Sequence, residues 1–238
     1  MPLFSIITVN LNNANGLRKT IDSIANQNFT DYEHIIIDGA STDNSKEIIN
    51  KCNHILSYWI SEKDNGIYNA MNKGIEKASG DFCLFLNSGD SLVNEDVLRN
   101  VHPFATNDDV IYGDMQIMDK YGKITHGKMP DRITVAHMYK DTLWHPVAFI
   151  KRTLFQQFGN YNEHFKVASD YEFFMRILIE KKLSTIHIPV EITLFDNTGY
   201  SSKRETRSIL MTERRQIQNL YINPFLLKIY RFYSFLRS

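Results

Sequence analysis

The sequence predicts an α/β fold: a Rossmann-like, mostly parallel sheet flanked by helices, with a helical extension at the C-terminal end. Three observations carry this expectation. Short apolar, β-branched runs alternate with helix-periodic segments through residues 1–90. The runs are apolar almost throughout instead of every second residue, the pattern of strands buried on both faces. Each run then stops in small polar or acidic residues, as strands do at the edge where open α/β sheets bind ligands.

Leu3 to Asn10 is the first strand and Asn12 to Gly16 a turn, after which Leu17, Ile21 and Ile24 recur at helical spacing behind Asn15 as cap. His34 to Asp38 is a second buried strand, and Asp43 is placed to cap a helix carrying Ile48 and Ile49. A third strand covers Leu56 to Ser61, and a helix covers Ile67 to Ala78. The next strand, starting at Phe82, runs through Leu86 into Asn87-Ser88-Gly89-Asp90. Strands joined through helices in this way pair in parallel. Further on, Val110 to Asp119 and Lys123 to Met129 flank Lys120-Tyr121-Gly122 as a β-hairpin. Val147 to Ile150 is a short apolar stretch, Thr153 to Phe158 and Tyr171 to Lys181 are helical, and Ile186 to Leu194 is extended. Gly199 to Ser202 reads as a loop, Lys203 to Tyr221 as a charged helix, and Asn223-Pro224 as the start of a last helix reaching Arg237.

A length of 238 residues suits one large α/β domain, or a domain with an extension, and 43% hydrophobic content supplies a core. Lys+Arg and Asp+Glu both number 27, so overall charge gives no nucleic-acid signature. From Ser202 onward eight basic residues stand against two acidic ones, a net +6, leaving −6 for the rest. A basic, aromatic tail suits an anionic surface. Cys52 and Cys83 are expected as reduced thiols. The first residues lack a charged region and cleavage site, and no run of about 18 apolar residues occurs. The expectation is a cytoplasmic protein.

Four strand ends bring polar groups to one edge: Thr8 and Asn10; Asp38; Glu62 and Asp64; Asn87 and Asp90. A carboxylate delivered there by a rigid strand suits Mg²⁺ or Mn²⁺ carrying a phosphate, while Asn-Ser-Gly-Asp is also ordinary turn chemistry. Neither a Gly-x-Gly-x-x-Gly turn after the first strand nor a Gly-Lys-Ser/Thr loop is present. The backbone is therefore not arranged to cradle a pyrophosphate at the first helix, which disfavours nicotinamide cofactors and P-loop hydrolysis.

Ser5 to Asn10, Ile37 to Ser45, Phe85 to Asp90 and above all Ser61-Glu62-Lys63-Asp64-Asn65-Gly66-Ile67-Tyr68-Asn69-Ala70-Met71-Asn72-Lys73-Gly74 resemble the family 2 glycosyltransferases of GT-A fold. The last stretch is similar to the branch that builds bacterial capsular polysaccharides and exopolysaccharides. The resemblance implies a catalytic domain over residues 1–202, with 1–90 as nucleotide-binding half and 91–202 as acceptor half, and 203–238 as a helical basic and aromatic tail. It implies that Asp38 hydrogen-bonds the uracil imide, with Thr8 and Asn10 beside the base. Asp64, Asn72 and Asn87 then line the nucleotide-sugar site, and Asp90 holds the divalent ion. Asp170, in Ala168-Ser169-Asp170-Tyr171-Glu172, matches the general base. A sugar hydroxyl attacks poorly unless a base takes its proton, a diphosphate leaving group needs charge neutralisation, and in-line attack inverts the anomeric centre. A buried aspartate is expected to have a raised pKa, which suits a base.

The implied activity is inverting transfer of a hexose or N-acetylhexosamine from a UDP-sugar to a saccharide acceptor, lipid-linked in polymer-building relatives. The rival readings are a non-catalytic nucleotide- or glycan-binding relative and a sugar-1-phosphate nucleotidyltransferase. The latter calls for a Gly-rich loop with Arg and Lys where Asn12 to Gly16 stands. The sequence departs from the family pattern at Gly39-Ala40, at Asn87-Ser88-Gly89-Asp90, at Ser169 and at Asp196-Asn197-Thr198, where many relatives place a histidine. The second metal ligand is thus left open. His145, in Trp144-His145-Pro146, is read either as an acceptor or phosphate contact or as a structural residue. A helix from Pro224 to Arg237 is about 21 Å long, too short to span a membrane. It is suited to lie on a membrane surface or to pack on the domain or in an oligomer.

Overall fold

The computed structural model describes residues 1–199 and 204–236. β1 (Phe4–Asn10), β2 (Tyr32–Asp38), β3 (Tyr58–Ser61) and β4 (Phe82–Phe85) form a parallel block in the order β3-β2-β1-β4. All seven β1 residues are buried, as its mainly apolar run leads one to expect. The connecting helices are α1 (Ala14–Ala25), α2 (Ser45–Cys52) and α3 (Ile67–Lys77). Leu17 and Ile21 of α1 meet Ile49 and Cys52 of α2 over Ile36, a satellite of the main core.

The cap of α1 is Asn13, not the expected Asn15: its Oδ1 accepts the Gly16 N–H at 3.1 Å. The helix starts earlier because Asp43 accepts the Ala14 N–H at 2.9 Å. The same carboxylate accepts the Ser45 N–H at 3.0 Å, so it ties the starts of α1 and α2 together.

The second half mixes strand directions. It contains β5 (Ser91–Leu92), α4 (Val97–Val101), β6 (Val110–Met118), β7 (Ile124–Gly127), α5 (Val135–Lys140), β8 (Ala148–Lys151), α6 (Thr153–Phe158), α7 (Ser169–Phe174) and β9 (Thr185–Asp196). The sheet continues as β4-β8-β6-β9-β5, with β8 antiparallel between β4 and β6 and β9 parallel to β6. β6 and β7 form the expected hairpin, turning at Gly122 with φ +79°, where a side chain would be strained. α7 runs on through a π-turn, Met175–Glu180.

α8 (Arg204–Tyr221) and α9 (Pro224–Phe235) complete the described chain, and Ile217 of α8, Ile222 between the two helices and Leu227 of α9 belong to the main core. Tyr230 stacks on Tyr139 at 5.0 Å, so part of α9 packs on the body. Phe225, Phe232, Tyr233 and Leu236 remain exposed. The expected loop at Tyr200 to Ser202, the first residue of the charged helix, Lys203, and the end of the tail at Arg237 lie outside the described residues. Cys52 and Cys83 are free and buried. Among the described residues no helix is long and apolar enough to cross a membrane.

Candidate functional site

Asn10, Asp38 and Ser61 end three neighbouring parallel strands in register, so the sheet itself sets them side by side. Asp38 is wholly buried. Its Oδ1 accepts from Asn10 Nδ2 (2.7 Å) and Ser41 Oγ (2.5 Å), and its Oδ2 from Ser61 Oγ (2.6 Å) and the Ser41 N–H (3.0 Å). The carboxylate thus orders a polar row while its own lone pairs are taken. Asn10 keeps a buried Oδ1 without a hydrogen-bond partner among the described residues.

Thr8 lies one step below, wholly buried, with Oγ1 3.0 Å from His34 Nε2. Burial pushes the His34 ring down to about 3, so it is neutral at ordinary pH. Thr8 therefore braces the row from beneath. Asp64 accepts the Gly66 N–H at 3.0 Å at the head of α3. It crowds Gly39 so closely that a Cβ there would lie 2.5 Å from Asp64 Oδ2. Asn72, further along α3, uses every polar atom: Oδ1 accepts the Tyr161 N–H (3.0 Å), and Nδ2 donates to the Tyr161 carbonyl (3.0 Å) and Glu163 (2.8 Å).

The Asn87–Asp90 turn is built by α1. Thr20 Oγ1 donates to the Asp90 carbonyl (2.6 Å) and accepts the Gly89 N–H (3.1 Å), while Asn13 Nδ2 donates to the Ser88 carbonyl (2.9 Å). Gly89 sits at φ +111°, where only glycine is unstrained. Asp90 is 4% exposed and accepts the Asp196 N–H at 2.9 Å. Burial pushes its carboxyl up to about 7, against the pull of the Asp196 N–H, His145 and Lys19 and with the push of the Asp196 carboxylate. A desolvated carboxylate in this state is short of positive charge. No group of three or more His, Cys, Asp or Glu among the described residues could cage a metal. The donors fit a hard divalent ion that takes one or two carboxylates from protein and its remaining oxygens from phosphate and water.

Asp170, in the first turn of α7, departs from expectation. Burial alone would raise its carboxyl, but the hydrogen bond and charge of His145, then Tyr68 and the Tyr171 N–H, outweigh it and hold the pKa below the ordinary value. Oδ1 lies 2.8 Å from the Tyr68 hydroxyl and accepts the Tyr171 N–H at 2.9 Å. Oδ2 accepts from His145 Nδ1 at 3.1 Å. His145 Nε2 lies 3.3 Å from Asn87 Nδ2, which links this pair to the Asp90 turn. His145 is thus a member of the site. Tyr68 was missed although it stands inside the most specific motif. Glu213 on α8 was missed as well. It accepts the N–H groups of Lys166 (2.7 Å), Val167 (3.0 Å) and Ala168 (3.0 Å) and so fixes the approach to Asp170. Nothing local in the sequence marks it.

The sequence model of glycosyl transferase family 2 matches residues 5–183. The chain belongs to this family. A PGL/p-HBAD biosynthesis glycosyltransferase of Mycobacterium bovis (strain BCG / Pasteur 1173P2) is 32% identical over 208 residues, covering 83% of this chain and 78% of that protein. An uncharacterized glycosyltransferase of Mycobacterium tuberculosis (strain CDC 1551 / Oshkosh) is 31% identical over 224 residues, covering 90% and 82%. Among solved structures, S. aureus TarS 1-349 in complex with UDP-GlcNAc superposes with TM-score 0.69 at 18% identity, over 93% of this family 2 chain and 72% of that one. The chain spans 36% of a longer TarS crystal structure. A Pyrobaculum calidifontis mannosyltransferase in complex with GDP-Man and Mn²⁺ superposes with TM-score 0.65 at 17% identity, over 90% and 61%. These likenesses identify the fold as GT-A. The mycobacterial relatives carry no capsular designation, so the family is established and the expected capsular branch is not.

Proposed function

We propose that this glycosyltransferase moves a hexose or N-acetylhexosamine from a UDP-sugar to a saccharide acceptor with inversion. The observation that carries the reading is the arrangement at one sheet edge. The Asn10–Asp38–Ser61 row, the buried Asp90 and the Asp170–His145 pair succeed one another there. The row, with Asp64 above Gly39, takes the uridine, and Asn87 lies between diphosphate and acceptor. Asp90 would hold Mn²⁺ or Mg²⁺, with Asp196, whose N–H it accepts and whose charge it feels, as a further carboxylate beside it. A bound ion of this kind neutralises charge developing on the departing diphosphate. The Asp170–His145 pair receives the acceptor proton. Residues 1–90 then serve the donor and 91–202 the acceptor. A glycolipid-type acceptor is supported by the PGL/p-HBAD designation of a relative. It is also supported by the exposed Phe225, Phe232 and Tyr233 beside Lys228 and Arg231 on α9, a face suited to an anionic lipid surface.

Thermal stability with UDP, GDP and CMP, each with Mn²⁺ or EDTA, tests the donor assignment, because selective ligand binding raises the midpoint by mass action. The expected result is a UDP-selective rise that needs Mn²⁺ and that Asp90→Asn loses. Because the Asp90 carboxyl must shed its proton for the ion, the Mn²⁺-dependent part should strengthen as pH rises through about 7. A UDP response indifferent to EDTA removes the metal, and no response to any nucleotide removes the donor class.

A further inference from the structure

We propose that α9 seats this protein on an anionic lipid bilayer, lying along the surface with its outer apolar face in the acyl boundary. Only the purpose of the seat rests on the glycolipid-acceptor reading above; the seat itself follows from the helix. α9 is apolar on two faces. One is docked: Leu227 is buried, Tyr230 stacks on Tyr139 at 5.0 Å, and Ser234 Oγ donates to the Tyr139 hydroxyl at 3.3 Å. The other looks outward: Phe225, Phe232 and Leu236 are 73%, 61% and 63% exposed, with half-buried Ile229 among them. These four recur at intervals of four, three and four residues, which sets them in one stripe along the helix. Lys228 and Arg231 border the stripe on one side and Tyr233, 60% exposed, on the other. Docking α9 on the body requires the first face alone. A contiguous aromatic stripe left open beside it marks an interaction surface.

The charge pattern decides what covers it. From Arg214 to Ser238 the chain carries five basic residues and no acidic one. A second copy seated on this stripe would bring Lys228 and Arg231 of each copy toward those of the other, with no carboxylate on α9 to offset them. An anionic surface offsets them directly. The same surface repels the −6 of residues 1–201 and attracts the +6 of the remainder, so the molecule approaches tail first. At 1.5 Å per residue α9 is about 18 Å long, against about 30 Å of hydrocarbon, so it lies along the surface and does not cross it.

The seat also stands on a definite side of the molecule. Tyr139, which α9 grips, belongs to α5, and the neighbouring Met138 carbonyl accepts from the Tyr171 hydroxyl at 2.7 Å. Tyr171 follows Asp170 on α7, so a single short helix separates the lipid-facing element from the Asp170 turn. An acceptor with a lipid anchor in the same bilayer would thus reach Asp170 without leaving the surface.

Co-sedimentation with vesicles, in the absence of donor and acceptor, tests the seat. Vesicles of phosphatidylcholine alone are compared with vesicles holding about 30% phosphatidylglycerol. Wild type should bind the anionic vesicles at least about tenfold more tightly, and high salt should remove the preference. A basic residue near such a surface is worth about fivefold, so Lys228→Gln with Arg231→Gln should weaken binding at least about tenfold. Phe225→Ser with Phe232→Ser should weaken it as much. All four side chains are exposed, so Tm should stay within about 2 °C and UDP affinity within about threefold of wild type. Emission from Phe232→Trp should move to the blue on anionic vesicles and be quenched by lipids brominated in the acyl chain. Equal binding to both vesicle types, binding to neither, or binding that the phenylalanine variants retain overturns the proposal. So does a dimer in sedimentation velocity that Phe232→Ser dissolves while vesicles go unbound, since the stripe then pairs two copies. Vesicle binding without any nucleotide response keeps the seat and removes the transfer reading; a UDP response without vesicle binding does the reverse.

Discussion

Replacing Glu213 by Gln tests whether the C-terminal helices belong to the working site. The carboxylate is buried and receives three backbone N–H bonds of 2.7, 3.0 and 3.0 Å from Lys166, Val167 and Ala168. Glutamine keeps the volume but offers one acceptor oxygen. If that oxygen takes the Val167 and Ala168 donors, each bond loses its charge assistance, about 1 kcal/mol apiece, and Lys166 N–H faces an amide NH₂, roughly 1–3 kcal/mol more. A loss of about 3–5 kcal/mol corresponds to a fall of roughly 6–20 °C in Tm for a domain of this size. The irregular segment that is freed leads directly into Ser169-Asp170, so turnover should fall by at least about tenfold through misplacement of the Asp170–His145 pair. UDP affinity should hold within about threefold, since the Asn10–Asp38–Ser61 row proposed for the uridine is set by β1, β2 and β3. Thermal melts, UDP titration and turnover on the same preparation check this. A Tm within about 2 °C of wild type, or a UDP affinity that falls as far as turnover, would refute the claim that α8 positions Asp170.

Two further predictions concern the donor side. His34, neutral when folded because burial pushes its pKa down to about 3 from the ordinary 6.5, contributes stability that is present above 6.5 and is lost as pH falls toward about 3. From pH 6.5 to 5 the loss is roughly 2 kcal/mol at 1.36 kcal/mol per unit; urea midpoints at pH 7 and 5 should show it in wild type and not in His34→Gln, and equal slopes in both would disprove it. Gly39→Ala sets a methyl 2.5 Å from Asp64 Oδ2 and 3.3 Å from Leu11 Cδ1. Because the first obstacle is the end of a side chain, the fold should survive while Asp64 is displaced and UDP affinity drops about tenfold, some 1.4 kcal/mol by calorimetry; unchanged affinity would detach Asp64 from the nucleotide.

What could be read in the sequence follows the physics of each half. A strand buried on both faces needs a mainly apolar run, and β1, β2 and β4 carry one, so these strands and their polar ends were legible. Whether a polar residue near such an end faces a ligand or the protein was not, because the answer lies in distant partners. Thr8 turns to His34, and Asn72 to Tyr161 and Glu163. The α1 cap shifted from Asn15 to Asn13 because Ser88 and Asp43, both remote in sequence, hold that turn. Two-residue β5 has too few positions to show any periodicity, and it exists only because β9 offers it an edge. The expectation of a raised Asp170 pKa counted burial and could not count the donors around it.

The stretch from Ser61 to Gly74 was the most specific match, and the structure supplies a physical reason. Asp64 fixes the head of α3 close against Gly39, which follows Asp38. One turn on, the Tyr68 hydroxyl reaches Asp170 and the Val167 carbonyl, both at 2.8 Å. One turn further, Asn72 clasps Tyr161 and Glu163 of the second half of the chain. Positions 68 and 72 are four apart on α3, which keeps them along one face of the helix, while Asp64 lies in the turn that leads into it. A residue that faces only the nucleotide can be exchanged wherever the nucleotide tolerates it. Tyr68 and Asn72 instead reach from α3, packed on β1 and β2, to residues 161–170. The stretch therefore ties the Asn10–Asp38–Ser61 side of the sheet edge to residues 161–170, and Tyr68 is the member that reaches Asp170.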